Sequence, residues 1–267
     1  MASTLAASTC GRCALTARQL QQPPYALNAG EVLPFREIRA YHDAKFVRVY
    51  QAYNDEIADA AVAANSFHAP LQLGVWSKTR MTWVKPSAVW MAYRCGWTLM
   101  KDKNQRRAYN TGSRGFSFSP EDLLMQAQLS HGSAKCREGT VVVQWDPERL
   151  LHPLSERQKE ALTRSISGVR SIQIGIRGTG VETLLNPDVV LKISDVTEAF
   201  RIAGEALMQS PPDLQAAMEA LWPEGVDEVQ MDLRPELREV LQMDTPNVPV
   251  EHGKEPAHNA QQSDADD

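Results

Sequence analysis

Two runs near the start of the chain alternate apolar and polar side chains with a period of two. They are Glu37-Ile38-Arg39-Ala40-Tyr41 and Phe46-Val47-Arg48-Val49-Tyr50-Gln51-Ala52-Tyr53, separated by His42-Asp43-Ala44-Lys45. The pattern predicts an antiparallel pair of strands around a polar turn. Val47, Val49 and Gln51 fall on one face of the second strand, and Phe46, Arg48, Tyr50 and Ala52 on the other. Asn54 is a good N-cap, and Asp55 and Glu56 suit the first turn of a helix through the Ala-rich run to Ala64, ending near Asn65 with Phe67 anchoring the exit. Leu71 to Lys78 reads as an irregular loop or short strand.

The next stretch is the densest in the chain: Arg80-Met81-Thr82-Trp83-Val84-Lys85-Pro86-Ser87-Ala88-Val89-Trp90-Met91-Ala92-Tyr93-Arg94. Met81 to Val84 has strand character. Pro86 suits the first turn of a helix running through Tyr93, with Gly96 just past its end. Lys101 to Arg107 is expected as a basic surface loop and Arg107 to Ser113 as a strand. Ser119-Pro120-Glu121-Asp122 starts a helix leading into Leu123 to Leu129. Strands are predicted at Thr140 to Trp145, closed by Asp146-Pro147, at Ser171 to Ile176 before the Gly178/Gly180 turn, and at Val189 to Ile193. Asp195 caps a helix whose Val196, Ala199, Phe200, Ala203 and Leu207 repeat at three and four, and Pro211-Pro212 breaks it. Further helices are expected from Asp213 to Trp222 and from Pro235 to Met243. Strands and helices interleave with a hairpin among them, so the pattern predicts an α+β fold with a mixed, largely antiparallel sheet flanked by short helices.

Composition changes this picture mainly at the two ends. Met1 to Gly30 holds no Asp or Glu, is rich in Ser, Thr and Ala, and carries Arg12 and Arg18. Residues 1–31 therefore read either as a disordered leader or as an organelle transit peptide. Beyond Pro246 the chain is polar and acidic without periodicity, so 245–267 is expected to be a disordered tail and 32–244 one domain. The net charge of −5 over 267 residues argues against a dedicated nucleic-acid binder but leaves room for a local basic patch. No apolar run approaches the ~18–20 residues of a membrane-spanning helix. Four scattered cysteines make no disulfide framework, which fits an intracellular setting: the cytoplasm, or a plastid or mitochondrion if the leader is a transit peptide. Cys10-Gly11-Arg12-Cys13 has no second cysteine pair to complete a zinc site, and Gly175 to Gly180 lacks the spacing of a phosphate-binding glycine loop.

Several stretches, taken in order, resemble the domain-of-unknown-function 4291 family: Ile38-Arg39-Ala40 with Val49 to Tyr53, Arg80 to Ser87 with Trp90 to Arg94, Gln144 to Arg149, Arg170 to Gly175, and Ile193 to Thr197. Ala88 departs from that pattern, where a bulky aromatic is usual, and the stretch from Arg106 to His131 matches less well. Val49 to Tyr53, followed by a helix and Phe67, is also similar to the opening strand–helix unit of ADP-ribosyltransferases. That second resemblance implies NAD as a cofactor, with Gln51 standing where those enzymes often carry His or Arg. It supplies no acidic counterpart near Gln173, and a glutamine cannot serve as a general base.

The candidate ligand-binding residues are the cations and amides set among aromatic or strand positions: Arg39, Gln51, Tyr53, Arg80, Lys85, Ser87, Tyr93, Arg94, Arg170 and Gln173. Cations beside stacked rings suit a phosphate-bearing nucleotide such as NAD. The same residues would equally serve as a rim around a buried aromatic helix, with long cationic side chains reaching water. Two functional readings follow, a nucleotide-binding enzyme of ADP-ribosyltransferase type and a non-catalytic module for a nucleotide or nucleic-acid end. The first is the leading reading and the second its alternative.

Overall fold

The computed structural model describes residues 34–42, 46–99, 107–114, 128–129, 140–151, 162–223, 225 and 228–244. The predicted leader, the acidic tail, residues 101–106 of the basic loop and most of the helix expected after Ser119 lie outside these.

The fold is α+β. Two sheets carry most of it. One has the order β3-β7-β6-β5, built from β3 (Thr82–Val84), β5 (Gln128–Leu129), β6 (Val141–Leu151) and β7 (Thr163–Ile176). The other has the order β2-β4-β8, from β2 (Phe46–Tyr53), β4 (Arg107–Arg114) and β8 (Val190–Asp195). All pairs within them are antiparallel except β5 with β6. The parallel pair overturns part of one expectation: Gln128 and Leu129, expected at the end of a helix, are strand residues facing Val142 and Val143.

The opening hairpin is reduced to one antiparallel bridge, His42 with Val47. Arg48 N–H donates to Tyr41 O at 2.9 Å, but β1 (Arg39–Ala40) takes its ladder from β9 (Val229–Gln230), almost two hundred residues later. His68–Gln72 forms a short helix where a loop or strand was expected a few residues on, so the helical order runs α1 (Asp55–Ala64), α2 (His68–Gln72), α3 (Ala88–Arg94), α4 (Glu182–Leu185), α5 (Thr197–Met208), α6 (Leu214–Leu221) and α7 (Pro235–Val240). The caps follow the sequence closely. Asn54 accepts from Ile57 N–H, Asn65 ends α1 in the left-handed region, and Asp213 accepts from Ala216 N–H. Pro86 stands just before α3, not inside its first turn, because Ser87 takes the N-cap. Gly96 follows the α3 C-cap with φ 59°, as expected of a residue just past a helix end.

Two apolar clusters result. Val47, Val49 and Tyr53 of β2 pack with Ile57, Phe67, Trp76, Val84, Val141, Val143, Ile172, Ile174 and Ile176. Tyr50 and Ala52, on the opposite face of the same strand, join α3, α5 and α6 around Phe200, Leu207 and Trp97. Gly175 of β7 is fixed by a close approach: a Cβ there would lie 2.8 Å from Met81 Sδ and from the Trp83 ring. Gly175→Ala is therefore expected to cost about 1–3 kcal/mol, read from the denaturant midpoint, with the near-ultraviolet signal of the displaced tryptophan changing alongside.

Candidate functional site at the seam between the sheets

Among the described residues, one backbone bridge joins the two sheets, at Lys85. Lys85 follows β3 directly, and Pro86 after it biases its backbone toward extended geometry. It makes a reciprocal pair with β2: Tyr50 N–H donates to Lys85 O at 2.7 Å, and Lys85 N–H donates to Tyr50 O at 3.1 Å. Two residues later Ser87 Oγ accepts from Trp90 N–H at 3.2 Å, which starts α3. The Lys-Pro-Ser corner thus joins the sheets and launches the helix in three residues.

Its chemistry is completed from β6. That strand was expected to close at Asp146-Pro147, but it continues to Leu151 through a break in register between Pro147 and Arg149. A bulge admits a proline inside a strand and redirects the side chains beside it. Asp146, Glu148 and Arg149 consequently all meet the corner. Lys85 Nζ, fully shielded from solvent, lies 3.2 Å from Asp146 Oδ2 and 3.8 Å from the centre of the Trp90 ring. Ser87 Oγ–H donates to Glu148 Oε1 at 3.3 Å, and Arg149 N–H donates to the same oxygen at 2.8 Å. The Arg149 guanidinium lies 3.4 Å from the Tyr93 ring centre and donates through Nη1 to Thr163 Oγ1 at 3.1 Å, while its Nε is buried without a partner.

Burial dominates the electrostatics. Desolvation pushes the Lys85 amine down from 10.5 to about 8, against the upward pull of Asp146 and Glu148. It lowers the Arg149 guanidinium as well. The same force lifts the buried Tyr50 phenol far above its usual range and the Cys95 thiol to about 12, which leaves that cysteine inert.

The corner opens onto one face of the four-stranded sheet. Cross-strand partners share a face, and the registers Asp146↔Ser171, Gln144↔Gln173 and Trp83↔Gly175 put five side chains in one row, closed at its end where Met81 and Trp83 cover Gly175. Gln173 Nε2 reaches Gln144 Oε1 at 3.5 Å. Of the residues singled out from sequence, Lys85, Ser87 and Tyr93 therefore come together, with Gln173 along the same face. The rest are placed elsewhere. Arg39 is ion-paired with Glu37 at 2.9 Å. Tyr53 is a hydrogen-bond node, donating to Thr82 Oγ1 at 3.2 Å and accepting from Trp76 Nε1 at 3.0 Å. Arg80 and Arg94 are exposed, Arg94 at the end of α3. Arg170 lies on the opposite face of β7 beside Phe35. Gln51 is fully buried on the face of β2 shared with Val49 and Tyr53, and neither atom of its amide has a hydrogen-bond partner.

Asp146, Glu148 and Arg149 were passed over because Asp-Pro ordinarily ends a strand. The alternation of Gln144, Asp146 and Glu148 reaches one residue past the proline, but nothing in the local pattern marks Arg149, which the break in register brings to the corner.

These features define an α+β domain with a buried ionic and aromatic cluster between two sheets. The family model described as Domain of unknown function (DUF4291) matches residues 37–224, and the chain belongs to that family. No curated protein and no solved structure matches. Among the described residues, no helix is long and apolar enough to cross a membrane.

Proposed function

We propose that the corner formed by Lys85, Ser87, Trp90, Tyr93, Asp146 and Arg149 is a nucleotide-binding site, with NAD the first candidate. One observation carries this reading: two cations sit against aromatic rings in the same desolvated corner, and their donors are incompletely used. Lys85 Nζ has three protons and one carboxylate partner, and Arg149 Nε has no partner at all. A buried donor without an acceptor costs free energy, and a phosphate oxygen would relieve it. The row from Asp146 to Gln173, bounded by Trp83, offers amides and a ring for the base and ribose.

The ADP-ribosyltransferase-like version of this reading would turn Gln51 toward the nicotinamide. Gln51 instead lies among apolar side chains behind β2, so the proposal stops at nucleotide binding. A separate observation favours a reactive centre over a bare binding module. An amine held near 8 with a carboxylate at 3.2 Å can lose its proton close to neutral pH, as a general base must.

Thermal-shift measurements against NAD, ATP, GTP and a short RNA test the proposal. A ligand at 100 times its dissociation constant stabilises the folded state by ~2.7 kcal/mol. The expected result is a shift with one nucleotide that is absent in Arg149→Met. If no nucleotide moves the melting point of the wild type, the proposal fails.

A further inference from the structure

On the other face of the β6–β7 pair stands a second group of cations that the Lys85 corner does not use. Arg36 and Arg170 are backbone partners in a parallel bridge, and Arg170 N–H donates to Phe35 O at 2.8 Å. Both guanidinium groups flank the Phe35 ring, with their carbons 5.4 and 5.9 Å from its centre, and that of Arg36 is also 5.8 Å from the Trp145 ring centre. The register places Arg170 opposite Pro147, on the side of Trp145 and Ile172 and away from Asp146 and Lys85.

Among the described residues, no acid pairs with either of these two arginines. Arg36 Nη1 donates to the backbone oxygen of Gln242 at 2.9 Å and contacts its side-chain oxygen at 3.4 Å, both neutral acceptors. Arg36 Nε is buried and has no partner. The Arg170 side chain has no acceptor among the described residues, its contacts being the Phe35 ring and the neighbouring Arg36 charge. The acid nearest in sequence to Gln242, Asp244, is already paired with Arg238. Burial and the Arg170 charge both disfavour a proton on Arg36. Two like charges held side by side over one ring, with unused donors, form a site that an oxyanion would complete.

We propose that Arg36 and Arg170, seated on Phe35, form an anion site separate from the Lys85 corner, which takes a phosphate group either free or as a monoester. Arg36 Nε and the Arg170 fork supply the donors, and the Phe35 ring holds both guanidinium planes in place.

The full-length chain is titrated calorimetrically at low ionic strength with inorganic phosphate, with glycerol phosphate and with chloride matched for ionic strength. Saturable binding of phosphate, of the monoester or of both is expected, and none of chloride; the tighter ligand of the two identifies the source. Arg170→Gln should weaken that binding about tenfold or more, whereas Arg149→Met should leave it unchanged. Loss in Arg149→Met with retention in Arg170→Gln would assign the phosphate to the Lys85 corner and overturn this proposal, as would no saturable binding at all. The nucleotide proposal is judged separately, by the ligands that Arg149→Met abolishes. A folding control distinguishes a structural pair. Without phosphate, Arg170→Gln should melt at or slightly above the wild-type temperature, because it removes a like-charge neighbour. A large fall would show that the arginines hold the fold and would count against an anion site.

Discussion

Trp97→Ala is expected to destabilise the protein by about 3–5 kcal/mol, the range for removing a large aromatic from a packed core. Trp97 is almost wholly buried and lies in the 3-10 turn Gly96–Thr98, pressed against α5. The fit depends on Gly204: a Cβ there would come within 2.8 Å of Trp97 Cβ and 3.2 Å of Leu99 Cδ1. The backbone makes a second and more discriminating test possible. Trp97 has φ 58° and ψ 19°, and Thr98 has φ 60°. Non-glycine residues in that region carry about 1 kcal/mol or more of strain. Alanine would inherit the strain and glycine would not. Trp97→Gly should therefore be no less stable than Trp97→Ala, although glycine is ordinarily the worse of the two in ordered structure. Chemical denaturation of the three proteins reads both differences. If glycine proves clearly worse than alanine, the left-handed turn is wrong.

How far the sequence foretells this molecule depends on the range of each interaction. The caps at Asn54 and Asp213 were legible because each side chain satisfies an amide three residues away, whereas Ser87 does the same from a position expected inside the helix. The two faces of β2 were legible from alternation, with Tyr50 and Val49 parting to different clusters as the period of two requires. Long-range pairings were not. Nothing local marks β9 as the partner of β1, or Tyr50 as the partner of Lys85. Pro147 misled for a physical reason, since proline removes a ladder donor and normally closes a strand, yet a bulge lets β6 continue. The site suffered most from this, because Asp146 stands at that apparent stop and Glu148 and Arg149 lie beyond it. Gln51 shows the opposite case: its face was legible, while its lack of a partner becomes visible only when the whole core is assembled.

Lys85→Met is expected to leave the protein at least as stable as the wild type at pH 7, and more stable by up to about 3 kcal/mol. Folding moves the amine into a fully shielded site and lowers it from 10.5 to about 8, so desolvation outweighs what Asp146 and Glu148 return. A difference of that size corresponds to about 3 kcal/mol of disfavoured charge in the folded state. Below pH 8 both states hold the proton and the penalty is present in full. Between about 8 and 10.5 the unfolded chain still holds a proton that the folded one has released, so the wild type gains stability as pH rises through that window. Methionine is unbranched and of similar length, and it brings no charge. Asp146 would lose its partner, but it is 26% exposed and can be hydrated, while Glu148 keeps Ser87 Oγ–H and Arg149 N–H. The gap between variant and wild type should thus be widest at pH 7 and narrow by pH 10. Tyr50 and Cys95 titrate in both proteins and cancel from the comparison. Denaturant midpoints at pH 7, 9 and 10 would measure it. A variant several kcal/mol weaker at pH 7, with a gap indifferent to pH, would make the Lys85–Asp146 pair a structural pin. A buried lysine that the fold would be more stable without, and whose replacement also abolishes nucleotide binding, is instead what a site maintained for its ligand should show.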